Sequence, residues 1–304
     1  MDIRIRRFRS QCVRRVASFA DPPETIQANG WAGILMYHRV AEQLCGIPIP
    51  TWNVTPNKFE GQLSGLVASG FRAMALRDLL ETVRRGESIP HRTFVVTFDD
   101  GYESVYLEAW PILKSLQIPA TIFLATSYLD SDAPFPFDDW QEAGAAHVPQ
   151  TVWRPLTTAQ CREMTGSGLM ELGAHTHTHA DFQGDPVAFE DDLRECMAVL
   201  QDRFAVTEAT FAFPFGKSGL GYESHGFVDA ARRLNILCAL TTEPQLVRSD
   251  SDRHSWGRFE ATQTDTPITL AACLDGRYEL VRRWRPDRVM KRISRSMMST
   301  QITK

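Results

Sequence analysis

Short apolar segments alternate with longer amphipathic segments along most of this chain, and no other feature of the sequence limits the fold as strongly. The apolar segments are rich in β-branched and aromatic residues, which is typical of buried strands. They span residues 33–38, 93–98, 120–125, 169–175, 209–216 and 236–242. Strands that alternate with helices in this way form a parallel sheet covered by helices. The sequence therefore predicts an α/β fold.

The segments between the predicted strands carry signals for the start and the end of helices. In residues 185–204, Asp185 is suited to the N-cap and Pro186 to the first turn, and apolar residues recur on one face. Further helices are predicted over residues 55–70, 76–85, 103–117, 156–168 and 225–235. Residues 130–155 are rich in Pro, Asp and Trp and are predicted to form a long loop.

The length of the chain helps to choose between two parallel architectures. The chain has 304 residues, and barrels of alternating strands and helices contain about 250 residues. The first predicted strand is not followed by the G-x-G-x-x-G fingerprint of dinucleotide-binding sheets, and no G-x-x-x-x-G-K-[ST] phosphate loop occurs. We therefore predict a distorted (β/α) barrel of about seven strands rather than an open doubly wound sheet.

Charge is distributed unevenly along the chain. Residues 1–15 carry six arginines and one aspartate, and residues 275–304 carry nine lysines and arginines against three acids. The net charge of the whole chain is −4, so the part between these ends is acidic. Basic ends either contact anionic lipid or polyanionic glycan, or are solvated tails with no specific role. The acidic body argues against a nucleic-acid-binding protein.

The sequence shows no sign of a membrane-spanning segment or of a secretory signal. No apolar run approaches the roughly 18–20 residues that span a bilayer, and the arginine-rich N-terminus lacks an apolar signal region. The six cysteines are scattered without a Cys-x-x-Cys pair, which argues against a disulfide framework and against a cysteine zinc site. We expect a cytoplasmic protein that reaches the inner face of the membrane if its basic ends bind lipid.

Chemically reactive side chains occur at the ends of predicted strands, where parallel α/β folds place their functional sites. Asp99 and Asp100 follow the second strand, and His175 and His179 come at the end of the fourth. Two imidazoles and a carboxylate can bind a divalent metal and leave positions open for water and substrate. If the histidine segment turns helically, both imidazoles share one face. The alternatives are a simple aspartate–glycine turn and an exposed histidine-rich loop.

Three motifs occur in order along the chain: TFDDG at residues 97–101, HTHTH at 175–179 and FAFPFG at 211–216. Together with ILMYHRV at residues 34–40, they resemble the polysaccharide deacetylases, the NodB homology domain of carbohydrate esterase family 4, in a branch that works in bacterial envelope polysaccharide pathways. The resemblance implies a catalytic barrel over residues 31–262, between a basic N-terminal extension (1–30) and a basic, helical C-terminal extension (263–304). It also implies metal-dependent removal of acetyl from N-acetylated sugars.

The resemblance assigns roles to individual residues of these motifs. Asp99 would be the catalytic base. The metal, most often Zn²⁺ although other divalent ions serve in the family, would be bound by Asp100, His175 and His179. The backbone N–H of Phe215 would help to hold the oxyanion. The products would be acetate and a free amino sugar.

The chain departs from the family pattern at two points. The third motif commonly has an arginine near its start that supports the base, whereas this chain has Ala212 there. Our candidate replacement is Arg258, in the later segment WGRFE. The family's last motif supplies a histidine general acid, and it has no clear match here. His38 and His254 are therefore the two candidates for the acid.

Aromatic residues in the predicted long loop are candidates for stacking on sugar rings, namely Phe137, Trp140 and Trp153. The alternative is that these side chains pack the loop against the barrel. The predicted partner is a carbohydrate, either a polysaccharide, an oligosaccharide or a lipid- or nucleotide-linked precursor. The sequence makes no prediction about the oligomeric state.

Two other functions fit the same motifs. The chain could be a related metal hydrolase that cleaves another non-peptide C–N bond, such as that of a formamide or a cyclic imide. It could also be a non-catalytic relative that binds glycan, because the usual arginine is absent and the general acid is unassigned.

Overall fold

The computed structural model of the chain describes residues 3–20, 30–45, 52–138, 148–216 and 225–283. The strands are β1 (Trp31–Tyr37), β2 (Arg39–Val40), β3 (Asn53–Val54), β4 (Arg72–Ala73), β5 (Thr93–Phe98), β6 (Ala120–Leu124), β7 (Met170–Ala174), β8 (Phe211–Ala212), β9 (Ala239–Leu240), β10 (Val247–Arg248) and β11 (Phe259–Glu260). The helices are α1 (Ile3–Ala17), α2 (Pro56–Ala68), α3 (Leu76–Arg84), α4 (Trp110–Leu116), α5 (Thr158–Gly166), α6 (Pro186–Phe204), α7 (His225–Arg233), α8 (Pro267–Leu274) and α9 (Arg277–Arg283). A π-helical segment, Val105–Ala109, precedes α4.

Neighbouring strands of the main sheet follow the order β10-β1-β5-β6-β7-β8-β9. Each pair from β1 to β9 is parallel, whereas β10 pairs antiparallel with the start of β1. β11 pairs in parallel with β1 further along, and a parallel bridge joins Leu240 to Trp256 just before β11. Residues 256–260 therefore contact both β1 and β9, the two outer strands of the parallel series. The single bridge to β9 is not a continuous ladder that closes the sheet into a barrel. The predicted α/β fold with a central parallel sheet is confirmed.

Proline positions explain where several elements begin and end. The predicted strand over residues 209–216 is shortened to β8, because Pro214 has no N–H for a ladder and Phe215 takes a left-handed backbone with φ 56°. Pro111 is the second residue of α4, just after the π-helical segment Val105–Ala109. A proline inside a helix lacks an N–H and its ring clashes with the preceding turn, so the helix departs from regular α geometry there. The helix predicted over residues 185–204 is present as α6, and the Asp185 carboxylate accepts a hydrogen bond from the N–H of Ala188 at 3.0 Å.

Apolar side chains pack on both faces of the sheet in two groups. The outer group lies between the sheet and most of the helices, and the inner group lies on the opposite face of the sheet. Along β5, Phe94 and Val96 belong to the outer group and Val95 to the inner group, as the alternation of side chains along a strand requires. The inner group includes three leucines of α3. Arg77 of α3 donates a hydrogen bond to the carbonyl of Glu208, three residues before β8. Helix α3 therefore covers the amino ends of the strands, and the polar groups described below lie at the carboxyl ends.

The two ends of the described chain contact each other. Arg14 in α1 forms a buried ion pair with Asp265, with 2.6 Å between Nη1 and Oδ2, and Arg277 donates a hydrogen bond to the carbonyl of Ser18 at 3.3 Å. The predicted domain boundaries at residues 30 and 262 stay predictions. Among the described residues, no helix is both long enough and apolar enough to cross a bilayer.

Candidate metal centre and active site

The chain turns sharply as β5 ends, and the turn places two carboxylates at the edge of the sheet. The N–H of Asp99 donates to the carbonyl of Tyr37 at 2.9 Å, so Asp99 still belongs to the ladder with β1. Asp100 and Gly101 both have left-handed backbones, with φ 70° and 91°. A Cβ on residue 101 would lie 2.7 Å from Cδ2 of Leu124, so glycine is required there. Both carboxylates are buried.

The histidine motif forms a bend at the end of β7. The N–H of His175 donates to the carbonyl of Leu124 at 3.0 Å, and Thr176 and His179 have φ values of 64° and 55°. The carboxylate of Asp192, on α6, accepts hydrogen bonds from the backbone N–H and the hydroxyl of Thr178. The segment is not helical. Left-handed residues and a carboxylate from α6 therefore bring the two imidazoles together, and a helical turn is not needed.

The predicted metal ligands converge. Oδ1 of Asp100 lies 3.4 Å from Nε2 of His175 and 3.3 Å from Nε2 of His179, and the three ligand atoms lie within 4.8 Å of one another. Nδ1 of His175 lies 2.8 Å from the carbonyl of Ala212. A ring that donates to this carbonyl turns its Nε2 lone pair towards Asp100.

An orphan atom supports a cation at this place. Within the described residues, the buried Oδ1 of Asp100 has no hydrogen-bond partner. A buried carboxylate oxygen without a partner is costly unless a cation is bound. Burial raises the pKa of Asp100, but the neighbouring imidazoles of His175 and His179 outweigh burial, and the pKa lies below its ordinary value. An ionised carboxylate and two imidazoles are a donor set that fits a divalent metal ion.

Arg258 lies against Asp99, the predicted base. Its Nη1 and Nη2 donate to the two carboxylate oxygens at 2.6 and 2.8 Å, and its Nε donates to the carbonyl of Thr241 at 3.0 Å. Arg258 is fully buried. Burial raises the pKa of Asp99, but the guanidinium of Arg258 and the imidazoles of His175 and His38 together lower it by more, so the net direction is downward. The third motif has Ala212 where an arginine is common, and Arg258, immediately before β11, takes the place of that arginine beside Asp99.

His38 lies at the same carboxyl end. Its Nε2 is 4.0 Å from Oδ2 of Asp99, and 12% of its side chain is exposed. The ring stacks on Trp52, with 4.6 Å between centroids and an interplanar angle of 23°. Burial lowers the pKa of His38, and the nearby carboxylates of Asp100 and Asp99 offset this only in part. His38 is thus the acid candidate that the structure brings to the site.

His254 is not brought to the site. Its Nε2 lies 3.1 Å from the carbonyl of Ile236, which precedes β9 by three residues and lies on the amino side of the sheet. Its Nδ1 is 3.7 Å from Asp252. His254 was a candidate because the family's last motif has no clear match in the sequence, but chain direction at β9 puts it at the end of the sheet opposite Asp99.

The predicted aromatic residues have different surroundings. Phe137 is 36% exposed and stacks on His179 with 4.2 Å between centroids. Phe215 is 44% exposed, and its ring contacts His179 edge-on at 4.9 Å. Trp153 packs beside Ala41 and Val148, and its indole N–H donates to the carbonyl of Val148 at 3.3 Å, so it packs the loop. Trp140 lies outside the described residues.

Sequence reasoning missed three residues that shape this site: Trp52, Tyr128 and Asp192. The hydroxyl of Tyr128 donates to the carbonyl of Thr178 at 2.9 Å, next to the contact with Asp192. Asp192 lies on the polar face of a predicted helix, and nothing in its spacing distinguishes it from other acids there. Trp52 follows His38 by fourteen residues, and only the pairing of β2 with β3 brings the two rings together.

Comparison with known proteins identifies the family. The family model described as polysaccharide deacetylase matches residues 87–236. A poly-beta-1,6-N-acetyl-D-glucosamine N-deacetylase of Staphylococcus epidermidis is 25% identical over 261 residues, which cover 80% of this chain and 82% of the relative. The protein of the same name from Staphylococcus aureus strain MRSA252 is 24% identical over 216 residues, 64% of this chain and 69% of the relative.

Solved structures share the fold. Streptococcus pyogenes deacetylase PplD in complex with acetate has a TM-score of 0.66 at 22% identity, covering 81% of this chain and 99% of that one. IcaB from Ammonifex degensii has a TM-score of 0.65 at 23% identity, with coverage of 81% and 97%. The resemblance seen in the motifs is confirmed: in sequence and in fold the chain is similar to the polysaccharide deacetylases. It is accordingly a hydrolase that acts on carbon–nitrogen bonds other than peptide bonds.

Proposed function

We propose that this chain removes acetyl from an N-acetylated sugar by metal-dependent hydrolysis, releasing acetate and a free amino sugar. The observation that carries the proposal is the convergence of two imidazoles and one carboxylate beside a second carboxylate that a buried arginine holds. Asp100, His175 and His179 would hold the metal. Zn²⁺ is the ion that we favour, since its catalytic sites use three such protein ligands.

A divalent cation in this position supplies Lewis-acid chemistry, polarising an amide carbonyl and making water more acidic. We assign to Asp99 the role of accepting the proton of the attacking water, and the distance of 4.0 Å between its Oδ2 and Nε2 of the ligand candidate His175 supports this role. Arg258 occupies two of the roughly four lone-pair positions of the carboxylate, which leaves the others for water. Arg258 also keeps Asp99 ionised and fixed in orientation.

His38 is our candidate for the general acid. The departing amine needs a proton, and His38 lies at the carboxyl end of β1, partly exposed and beside Asp99. Phe215 is our candidate for the oxyanion donor, through its backbone N–H. Its backbone is left-handed, with φ 56°, the residue is 44% exposed, and its ring contacts the ligand candidate His179.

The substrate that we propose is a polymer or oligomer of β-1,6-linked N-acetylglucosamine. Two curated relatives that align with 80% and 64% of this chain carry this sugar in their names. Exposed aromatic rings beside the ligand His179 are a surface on which an apolar sugar face can pack.

Acetate release by the purified full chain tests the proposal. The chain is stripped of metal with a chelator, reloaded with Zn²⁺, Co²⁺ or Mn²⁺, and given β-1,6- and β-1,4-linked N-acetylglucosamine oligomers of equal length. We expect acetate and free amine only after metal is restored, and faster release from the β-1,6 oligomer. Equal rates without metal would contradict the metal site. Release from a formamide or a cyclic imide but from no sugar would favour the alternative hydrolase.

A non-catalytic glycan-binding protein is the remaining alternative. It predicts that the Zn²⁺-loaded chain retains the oligomer in equilibrium binding while no free amine forms. A glycan-binding protein has no use for Asp99, a proton-transfer group that Arg258 holds beside the ligands. We therefore favour the hydrolase.

We further propose that the basic ends contact anionic lipid at the inner face of the membrane. The contact between Arg14 and Asp265 supports a shared surface, because it brings α1 next to the C-terminal helices. In a vesicle sedimentation test, replacing Arg4, Arg6 and Arg7 by serine should weaken binding to phosphatidylglycerol vesicles and leave acetate release unchanged. This triple variant spares Arg14, whose buried ion pair a deletion would break. Unchanged sedimentation would rule the lipid role out.

A further inference from the structure

The two imidazoles of the candidate metal centre are held in different ways. His175 has a hydrogen-bond partner for Nδ1 in the carbonyl of Ala212, at 2.8 Å. Such a partner on the second ring nitrogen orients a ligating histidine and is a nearly constant feature of metal sites. The buried Nδ1 of His179 has no hydrogen-bond partner among the described residues. Some other contact must therefore fix the orientation of the His179 ring.

Two aromatic rings contact His179 instead. Phe137 stacks on one side, with 4.2 Å between centroids and an interplanar angle of 28°. Phe215 meets the imidazole edge-on, with 4.9 Å between centroids and an angle of 63°. Rings packed from two directions limit the rotation of the imidazole about its side-chain bonds. Because the stacked contact covers a ring face, Phe137 restricts this rotation more than Phe215 does.

Phe137 belongs to a packed aromatic group that extends away from the metal centre. It stacks on the buried ring of Phe135 at 5.1 Å. Phe135 in turn meets Tyr102 and Tyr128 edge-on, at 4.8 and 5.2 Å. Tyr102 follows the ligand Asp100 by two residues, and Tyr128 bonds the histidine segment through Thr178. The aromatic group therefore contacts both chain segments that supply metal ligands.

The residue after Phe137 anchors this group in the protein interior. Asp138 has a fully buried side chain and forms an ion pair with Arg39, which is also buried. The guanidinium of Arg39 lies 4.6 Å over the ring of Tyr102. Removing one member of a buried ion pair is strongly destabilising, so the pair fixes the backbone at Asp138. The ring of Phe137 is attached one residue away and is held with it.

We propose that Phe137 is a positioning residue for the metal ligand: stacked on His179 and anchored by the Arg39–Asp138 ion pair, it does for this imidazole what a hydrogen bond does for His175. The inference rests on the proposed metal site. It gives Phe137 a role in addition to the sugar-stacking one, and it gives the segment 135–138 a function in metal binding.

Zinc affinity of the full chain, measured without any substrate, tests this inference. The metal-free protein competes with a chromogenic chelator for Zn²⁺. Phe137→Leu keeps an apolar side chain but loses the stacked ring, and we expect its affinity to fall by about 10-fold or more, as for lost outer-shell partners of metal ligands. Phe137→Tyr should stay within about twofold of wild type, because the ring face is kept. The matched control is Phe19→Leu at a 90% exposed phenylalanine, which should change nothing.

Two further outcomes are decisive. Unchanged zinc affinity in Phe137→Leu, with a higher KM that grows with oligomer length, would overturn the inference and make Phe137 a sugar platform. A lower zinc affinity in Phe137→Leu, together with no acetate release by the zinc-loaded wild type, would support the inference and reject the deacetylase proposal. The two failures are therefore distinguishable.

The anchoring step has its own double-mutant test. Asp138→Asn should weaken zinc binding in the wild-type background and add no further loss to Phe137→Leu, because Asp138 acts through Phe137. If Asp138→Asn does not fold, Asp138→Glu replaces it, since it keeps the charge and alters the side-chain length. Additive losses in the double variant would overturn the anchoring role.

Discussion

The two ends of the sheet each contain a histidine with little exposure to solvent, and the comparison shows what makes a histidine chemically useful in this fold. At the carboxyl end, His38 lies 4.0 Å from Asp99 and is partly exposed. At the amino end, His254 is buried and bonded to the carbonyl of Ile236. Burial lowers the pKa of both imidazoles. Among the described residues, the carboxylates of Asp99 and Asp100, at the candidate metal centre, lie near His38 and not near His254.

The surroundings differ because parallel strands place all their carboxyl ends at one edge. There, residues directly after β1, β5 and β7 contribute His38, the two aspartates and the two ligand histidines. At the amino edge the leucines of α3 fill the inner space. A polar side chain at that edge, such as His254, meets backbone carbonyls instead of a reactive group. The comparison therefore predicts that substitutions at the two edges have effects of different kinds.

The largest effect is expected for Asp99→Asn, which removes the proposed base and keeps the shape. We expect kcat to fall by roughly 10²–10⁴-fold while zinc affinity stays within about threefold of wild type, because Asp99 is not a ligand in our assignment. Arg258 would then be buried beside a neutral amide, at a cost of roughly 3–5 kcal/mol in the free energy of unfolding.

Acetate release, chelator competition and thermal unfolding measure the three quantities for Asp99→Asn, and circular dichroism confirms that the variant is folded at the assay temperature. Full activity in a folded variant would reject the assigned mechanism even though the fold is unchanged.

The next largest effect is expected for His38→Ala. Loss of a general acid lowers kcat by about 100-fold or more, with little change in zinc affinity. Trp52→Leu is the companion variant, since it removes the ring stacked on His38 and should lower kcat by less. The check compares both variants on the N-acetylated oligomer, whose amine leaving group needs a proton, and on 4-nitrophenyl acetate, whose phenolate leaving group does not. If His38→Ala and wild type hydrolyse the oligomer equally fast, the acid is another residue.

Arg258 is expected to act through the pKa of Asp99. Replacing Arg258 by Met removes the cation that lowers this pKa, so Asp99 takes up a proton at higher pH. The acid limb of kcat/KM should therefore move to higher pH, by roughly 1–3 units for the loss of an adjacent opposite charge. Arg258→Lys keeps the charge and should shift the limb by less. The pH profile of acetate release measures both, and an unmoved limb in Arg258→Met would show that Arg258 has no influence on the base.

The smallest effect is expected for His254→Ala, at the amino edge. It removes one hydrogen bond to the carbonyl of Ile236, which contributes about 1 kcal/mol to folding. We expect kcat and zinc affinity to stay within about twofold of wild type, while the midpoint of thermal unfolding falls by a few degrees. A drop in kcat comparable to that of His38→Ala would erase the distinction between the two edges.

Much of the candidate site could be predicted from the sequence, because its donors follow predicted strands directly. Asp99 and Asp100 after β5, and His175 and His179 after β7, are local features of two motifs, and the parallel topology brings the two strand ends close. The end of the first strand likewise predicted the position of His38 beside Asp99, while its role as the acid stays a prediction. They gave no information on His254, whose segment precedes β11 and whose neighbours depend on where that segment pairs.

The sequence by itself determined the order of strands and helices, the deacetylase motifs and the candidate metal-binding side chains, because each of these depends on residues near one another in the chain. Tertiary structure alone decided that Arg258 meets Asp99, 159 residues away, that Trp52 covers His38, and that Phe137 stacks on His179. These contacts depend on strand order, on register and on left-handed turns at Asp100, Thr176 and His179. Packing of the whole chain is what selects such turns, since local sequence disfavours them.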